Sequence, residues 1–169
     1  MSPQAQRNVF LSLGSNLGDR GAYLAAAREA LGALPGTSLV VASRIYETAP
    51  QEHDEQPEFL NQVVLVRTGL QPRDLLTECQ RIEKEHGRLR EVRFGPRTLD
   101  IDILLFEGAE SDDPELRLPH PRMVRRAFVL VPLAEVWGAG AGMPEFDVAA
   151  LAQAALRDQA VRLFDDSEA

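Results

Sequence analysis

Two aspartates one residue apart are the first candidates for chemistry. Asp100 and Asp102 lie in the run "RFGPRTLDIDILLF", residues 93–106, whose second half is otherwise mostly apolar. Side chains two apart on a strand point to the same face, so these carboxylates would share a face, with Cα atoms roughly 6.6 Å apart. A divalent cation would relieve their repulsion, and Mg²⁺ typically takes one or two carboxylates together with water and substrate phosphates. The alternative is an exposed strand of alternating polarity whose aspartates are solvated. When the aspartate pair is considered alone, this alternative is favoured.

A group of arginines directly precedes the acidic pair. It comprises Arg88, Arg90, Arg93 and Arg97. Guanidinium groups match phosphate oxygens, and a metal together with arginines is the combination that polyphosphate chemistry needs. A solvated or salt-bridged loop is the alternative for the arginines alone, but the two features together favour a phosphate site. The chain has no GxxxxGK[ST] motif, and "LGSNLG" at residues 13–18 is more typical of a tight turn.

Further polar and aromatic residues could border a cleft. Gln80 and Glu83 are three apart on a predicted helix and share a face. Phe59 and Asn61 alternate to one side of a predicted strand, where a ring and an amide could stack on and hydrogen-bond a flat heterocycle. His120 lies between two prolines. Each has a plainer alternative, which is a helix surface, a core aromatic residue or a structural histidine.

The hydrophobic period predicts the elements that must position these groups. Apolar runs predict four strands, over residues 9–13, 39–46, 59–67 and 99–106. Helical spacing predicts one helix capped by Asp19 and a second that begins at Pro72. The order strand, helix, strand, strand, helix, strand is typical of an α+β split βαβ sandwich, with one antiparallel sheet and helices over one face. Extra C-terminal elements follow: a helical or mixed segment over 127–136 and a last helix capped by Asp147.

Composition limits the class of protein. Residues 1–169 are the length of one domain, and the net charge of −8 argues against nucleic-acid binding. Cys79 is the single cysteine, so an intrachain disulfide is impossible, which suits a reducing compartment. No signal-peptide pattern and no apolar run of about 20 residues is present, so we expect a cytoplasmic protein with no membrane partner.

The signature around the aspartates resembles that of a known family. "RFGPRTLDIDILLF" is similar to the signature segment of the 6-hydroxymethyl-7,8-dihydropterin pyrophosphokinase family of folate biosynthesis. The segments "LGSNLGDR", "YETAP", "PEFLNQVV", "QRIEKEHGR" and "LPHPRMVRRAFVLVPLAE" also resemble family segments. The resemblance spans about residues 9–136.

The resemblance implies a fold and a reaction. The fold would be a ferredoxin-like βαββαβ sandwich with an antiparallel sheet and extra C-terminal helical elements. The reaction would transfer the β,γ-diphosphate of ATP to the hydroxymethyl group of the reduced pterin and release AMP. Two Mg²⁺ ions would lie between the aspartates and the triphosphate. ATP and the pterin would be the partners, with no obligate protein partner.

The resemblance also assigns roles by position. The metal ligands would be Asp100 and Asp102, which with Arg88 and Arg97 would be the catalytic residues. The pterin site would consist of Thr48, Phe59, Asn61 and Phe128. The nucleotide site would consist of Gln80, Glu83, Arg88, Arg97, His120 and Arg126, with Arg90 on a closing loop beside Arg93 and with Ile103 contributing backbone near the adenine.

The sequence departs from the family pattern at Ala49, Gln51, Phe94 and Pro121, which bears on loop closure and substrate affinity. Three alternatives remain at this point. The first is a ferredoxin-like module that binds RNA or a nucleotide without catalysis. The second is another Mg²⁺-dependent nucleotide transferase on the same scaffold, and the third is a structural oligomer subunit.

Overall fold

A computed structural model describes residues 5–48, 58–87 and 98–164. Within these ranges the chain forms an α+β fold. The strands are β1 (Arg7–Ser15), β2 (Thr37–Ala42), β3 (Tyr46–Thr48), β4 (Phe59–Thr68), β5 (Asp100–Phe106), β6 (Ser111–Asp113), β7 (Leu116–Leu118) and β8 (Val161–Leu163). The α-helices are α1 (Arg20–Gly32), α2 (Pro72–Glu85), α3 (Ala127–Val136) and α4 (Val148–Ala155).

The main sheet is antiparallel, as predicted. Its order is β5-β1-β4-β3-β8, and β2 also pairs with β4. β1 pairs with β5 so that Ser12 lies opposite Asp102 and Gly14 opposite Asp100. β1 also pairs with β4, which places Asn61 across from Gly14 on the other side. The C-terminal end of β1 therefore lies between the start of β4 and the start of β5.

The predicted second strand is two strands. The prediction of one strand over 39–46 was wrong, because the ladder is interrupted at Ser43. The Ser43 hydroxyl accepts a hydrogen bond from the Val63 amide at 3.0 Å, and the Ser43 amide donates to the Val63 carbonyl at 2.8 Å. This local pairing ends β2 and lets the chain re-enter the sheet as β3, alongside the first residues of β4.

Helices α1 and α2 cover one face of the sheet. Asp19 caps α1 by accepting a hydrogen bond from the Ala22 amide at 3.1 Å, and Pro72 occupies the first turn of α2, both as predicted. The core on this face includes Leu11, Leu13, Leu24, Leu75, Ile82, Ile101 and Ile103, all buried. Alternate residues of β1 and β5 therefore point toward these helices.

Helices α3 and α4 cover the opposite face. A second buried cluster joins Phe10, Val63, Leu65, Leu105, Leu130, Leu133, Val148 and Ala152. The sequence predicted helices over one face and extra C-terminal helices without placing the latter. They lie on the second face, because the alternate apolar side chains of the central strands also need a cover. Asp147 caps α4 by accepting from the Ala150 amide at 3.0 Å, as predicted.

Two small elements fall in segments for which no strand was predicted. β6 and β7 form a hairpin in the polar stretch after β5, and β8 adds an edge strand next to β3. In the ranges that the structure describes, none of the helices has both the length and the apolar character needed to cross a membrane.

Candidate active site

The two aspartates lie on one face of β5, as predicted. Asp100 and Asp102 are half-buried, whereas Ile101 and Ile103 between and after them are buried toward α1 and α2. The aspartates share the face that carries α3 and α4, at the end of the sheet where polar residues replace the apolar core. Two partly exposed carboxylates therefore share one face at this end of the sheet.

A buried glutamate holds the backbone between these aspartates. The Ile101 amide donates a hydrogen bond of 2.8 Å to a carboxylate oxygen of Glu83, which is only 2 % exposed. The predicted role of Glu83 in the nucleotide site stays a prediction, and in the structure this oxygen supports β5. The reason is that Ile101 lies on an edge strand, where its outward amide needs an acceptor, and a charged acceptor makes a strong bond.

Three predicted pterin-site residues lie together at the ends of β3 and β4. Thr48 is the cross-strand partner of Phe59, and the Asn61 amide nitrogen donates to the Thr48 hydroxyl at 2.8 Å. Thr48 and Asn61 are buried, whereas Phe59 is half-buried. This arrangement places an aromatic ring beside an amide whose orientation is fixed by a hydrogen bond.

Gly14 keeps the surface beside these residues open. A Cβ atom added to Gly14 would lie 3.5 Å from the Asn61 side-chain oxygen and 4.0 Å from the Phe59 ring. A longer side chain would extend into the space that Phe59 and Asn61 border. Sequence reasoning missed this residue, although a glycine inside a strand signals a close approach.

The start of α3 contributes a second aromatic ring and a cation. Phe128 and Arg126 are both half-buried, and the Arg126 guanidinium carbon lies 5.4 Å from the centre of the Phe128 ring. This distance allows a cation–π interaction. Both residues were predicted to be in the site, and the structure places them at the helix end that follows His120.

His120 is held in its neutral form. Burial, together with the charges of Arg126 and Arg122, lowers the pKa of His120 to about 4, against the opposing effect of Asp100. The His120 ring Nδ1 accepts a hydrogen bond from the Arg122 amide at 3.2 Å, which leaves the ring proton on Nε2. The electrostatic influence of both Asp100 and Arg126 on this ring indicates that the three groups share one neighbourhood.

The roles of Gln80 and Ile103 stay predictions. Gln80 is half-buried on α2, and the Ile103 side chain belongs to the core beneath β5, while the predicted role of Ile103 concerns its backbone. Several predicted or discussed residues lie outside the described ranges, and their roles stay predictions. They are Ala49, Gln51, Arg88, Arg90, Arg93, Phe94 and Arg97.

The donor set suits a cation that is shared with a substrate. Among the described residues, no group of three or more His, Cys, Asp or Glu side chains is placed to hold a metal ion. A pair of carboxylates leaves most coordination positions to water and phosphate oxygens, which is the pattern of Mg²⁺ rather than of a closed structural metal site. The residues present therefore fit Mg²⁺.

Comparisons with known proteins agree with one another. A family model described as 7,8-dihydro-6-hydroxymethylpterin-pyrophosphokinase (HPPK) matches residues 10–138. The chain is 48% identical over 128 residues to the 2-amino-4-hydroxy-6-hydroxymethyldihydropteridine pyrophosphokinase of Bacillus subtilis (strain 168), covering 76% of this chain and 77% of that protein. It is 50% identical over 128 residues to the protein of the same name from Methylorubrum extorquens, covering 76% of this chain and 81% of the relative.

A solved structure with a similar fold is a triple mutant of Plasmodium falciparum HPPK-DHPS. The TM-score is 0.67 and the sequence identity 14%, with 90% of this chain and 44% of that chain covered. This chain therefore spans less than half the length of that structure, and the likeness concerns the fold alone.

Proposed function

Because the chain belongs to the 7,8-dihydro-6-hydroxymethylpterin-pyrophosphokinase family, we propose that it transfers the diphosphate of ATP to the hydroxymethyl group of 6-hydroxymethyl-7,8-dihydropterin. The products are the pterin diphosphate and AMP, and the reaction belongs to folate biosynthesis. One observation carries the proposal: an acidic pair on β5 and an aromatic–amide corner on β3 and β4 lie at the same end of one sheet. The matched relatives support this enzyme and not a binding module without catalysis.

The fold assignment is part of the proposal. The order β5-β1-β4 with β2 and β3 next to β4 is what a ferredoxin-like βαββαβ core requires, if β2 and β3 together count as its second strand. Helices α3 and α4 and strand β8 are additions to that core. We also propose a cytoplasmic location and no obligate protein partner.

The pterin would bind where Thr48, Phe59 and Asn61 meet. The Asn61 amide nitrogen is committed to Thr48, so its side-chain oxygen is directed over Gly14 as a hydrogen-bond acceptor. Phe59 and Phe128 supply two half-buried rings for stacking on the flat heterocycle. These residues orient the substrate so that its hydroxymethyl oxygen faces the acidic pair.

The triphosphate would lie over β5. When bound, two Mg²⁺ ions would neutralise phosphate charge and favour ionisation of the hydroxymethyl group. Asp100 and Asp102 would hold these ions, and Arg126 would add positive charge. His120 would donate from Nε2, since its Nδ1 accepts from the Arg122 amide. Arg88 and Arg97 are proposed from the sequence to stabilise charge in the transition state.

The transfer itself requires no covalent intermediate with the protein. A bond forms between the hydroxymethyl oxygen and the β-phosphorus, and the bond from that phosphorus to the α,β-bridging oxygen breaks, so AMP leaves. The hydroxymethyl proton departs to solvent, with Asp102 assisting its removal. Positioning and charge neutralisation supply most of the rate in such reactions.

The test is a product assay. The protein is incubated with ATP, Mg²⁺ and the hydroxymethyl dihydropterin, and AMP and the pterin diphosphate are measured. AMP that forms only when the pterin is present supports the proposal. Equal AMP release without the pterin, or transfer to a nucleoside in its place, supports another nucleotide transferase, and no turnover at all supports a binding module.

A further inference from the structure

The C-terminal part of the chain reaches the candidate pterin site from outside the family match. The family model ends at residue 138, whereas α4 and β8 lie beyond it. β8 pairs with β3 in antiparallel register, with Val161 opposite Thr48. The Phe164 amide extends this contact by donating to the Ile45 carbonyl at 2.9 Å. The three-residue strand that carries Thr48 is therefore flanked by β4 on one side and by β8 on the other.

Arg162 of β8 ties together the strand ends next to Thr48 and Phe59. Its guanidinium donates to the Glu47 carboxylate at 2.7 Å and also contacts the Glu58 carboxylate. Glu47 immediately precedes Thr48, and Glu58 immediately precedes Phe59. One side chain of the C-terminal strand, Arg162, thus links Glu47 and Glu58, the residues that precede Thr48 and Phe59. We call the surface that Thr48 and Phe59 form on β3 and β4 the first wall of the candidate pterin site, and Phe128 on α3 the second.

Arg20 at the start of α1 completes this ionic cluster. Its guanidinium donates to the other oxygen of Glu47 at 2.8 Å and to the Glu58 carbonyl at 2.7 Å. Within this ionic cluster the Glu47 side chain is largely buried, at 14% exposed, whereas the Arg162 side chain is 65% exposed. Removal of Arg162 would therefore loosen the strand ends without opening the apolar core.

Gln159 makes a second contact, with the start of α3, the helix that carries Phe128. Its side-chain oxygen accepts from the Ala127 amide at 2.8 Å, and its side-chain nitrogen donates to the Arg125 carbonyl at 2.7 Å. The N-cap residue of α3, Arg126, makes no side-chain cap of its own, so Gln159 satisfies an amide of the first turn from a distant position. Phe128 directly follows Ala127, the residue whose amide Gln159 accepts from.

We propose that residues 159–162 form a C-terminal brace that sets the position of Phe128 relative to Thr48 and Phe59, and so sets the affinity for the pterin. Gln159 and Arg162 are its positioning residues, since neither needs to touch the substrate. The inference rests on the proposed function, because it assumes that a flat heterocycle binds between these walls. A substrate held between two walls loses affinity when their separation is no longer fixed.

The two residues of the brace differ in what they reach. Arg162 contacts Glu47 and Glu58, next to Thr48 and Phe59, whereas Gln159 contacts the backbone on both sides of Arg126, which the proposed function places near the triphosphate. Loss of Arg162 should therefore raise KM for the pterin and leave KM for ATP unchanged. A general loss of stability would instead affect both substrates.

The experiment compares Gln159→Ala and Arg162→Ala with two matched controls, Gln153→Ala and Arg157→Ala. The control residues have the same types, lie in the same C-terminal segment and are exposed. We expect each brace substitution to raise KM and Kd for the pterin about 3- to 10-fold, the scale of one lost charged or capping hydrogen bond. Arg162→Lys, which keeps the charge, should recover part of the loss. For Arg162→Ala, KM for ATP and the melting temperature should stay close to those of the Arg157→Ala control. Gln159→Ala removes the acceptor of the buried Ala127 amide, so it should also lower the melting temperature.

Pterin binding is also measured by fluorescence titration without turnover. A wild-type protein that forms the pterin diphosphate while both brace variants match their controls overturns the brace alone. An equal rise of KM for ATP in the Arg162→Ala variant also overturns it. A wild-type protein that neither binds the pterin nor releases AMP overturns the proposed function, and the brace with it.

Discussion

Asp100 and Asp102 differ from their neighbours on β5 in polarity, not in backbone conformation. They occupy alternate positions at the start of the strand, opposite Gly14 and Ser12 of β1 and before the register shift between Ile103 and Leu105. Spacing alone therefore predicted correctly that they share a face. What spacing could not predict is the support of this strand, because the Glu83 carboxylate reaches it from a different element.

The first prediction concerns the acidic pair. Asp100→Asn and Asp102→Asn keep the side-chain shape but remove a charged ligand, so each should lower kcat/KM by at least about 10²-fold. AMP formation at saturating Mg²⁺ is the measurement. Asp112→Asn on the β6–β7 hairpin, which is exposed, is the control and should leave the rate unchanged. Near-normal turnover in either active-site variant would contradict the metal-pair model.

The second prediction concerns His120. Burial and the charges of Arg126 and Arg122 hold its pKa at about 4, so its ring signal in an NMR titration should move near this pH. Arg126→Gln removes one of the lowering charges and should raise the pKa of His120. A ring that titrates near pH 6.5 in the wild-type protein would show that it is not enclosed as described.

The same shift gives a pH dependence of stability. The unfolded chain binds a proton at His120 near pH 6.5, and the folded chain does so only near pH 4. Between these values the unfolded state holds more protons, so the free energy of unfolding falls as the pH is lowered. His120→Asn should flatten this part of the curve, as measured by urea unfolding at several pH values.

At the scale of elements, the third prediction concerns the link between α2 and β5. Glu83→Ala leaves the Ile101 amide without its carboxylate acceptor, and a buried unsatisfied amide costs about 1–3 kcal/mol. The free energy of unfolding should fall by about that amount. Glu85→Ala on the same helix removes only an exposed pair with Arg81 and should cost less than about 1 kcal/mol. Equal effects of the two substitutions would mean that Glu83 does not hold the strand.

The fourth prediction concerns the turn after α3. A Cβ atom on Gly140 would lie 2.5 Å from the Phe10 ring, which itself stacks on Trp137 at 5.5 Å. Gly140→Ala should therefore destabilise the protein by about 1–3 kcal/mol. Gly138→Ala, whose added methyl group meets nothing within 4 Å, is the matched control. Thermal unfolding of the two variants decides the matter, and equal melting temperatures would contradict the expected clash.

The elements with a clear period were predictable and the others were not. Helix α2 has Pro72 at its start and a buried stripe of Leu75, Cys79 and Ile82, which local sequence reveals. The break at Ser43 depends on a hydroxyl that bonds to the backbone of β4, a partner that local sequence does not identify. β8 has three residues and depends on β3 for its hydrogen bonds, so no sequence period could indicate it.

At the scale of the whole molecule, the sheet lies between two helical layers and its polar end carries the candidate site. The resemblance led to Thr48, Phe59, Asn61 and Phe128, and the structure brings the first three into contact across β3 and β4. The contribution of Gly14 was not predicted, because it requires the register of β1 against β4. Sequence therefore indicated candidate residues for the site but not how distant strands support them.

The fifth prediction treats ligand binding as stabilisation of the whole fold. A nonhydrolysable ATP analogue with Mg²⁺ at about 100 times its Kd should stabilise the folded state by about 2.7 kcal/mol. For a chain of this length that corresponds to a rise in melting temperature of about 5–10 °C. Asp102→Asn should lose most of this rise, as should addition of EDTA. A shift that persists in EDTA would show that the nucleotide binds without a cation.

The position of β5 at one border of the sheet has a consequence for self-association. Border strands expose unpaired backbone groups, which are a template for strand addition from another molecule and hence for fibril growth. Here the Ile101 amide already donates a hydrogen bond to the Glu83 carboxylate, and the Leu104 carbonyl already accepts one from the His120 amide at 2.8 Å. Strand addition is therefore hindered at two positions of the border that carries the two acids, while the half-buried aspartates remain partly exposed to small solutes.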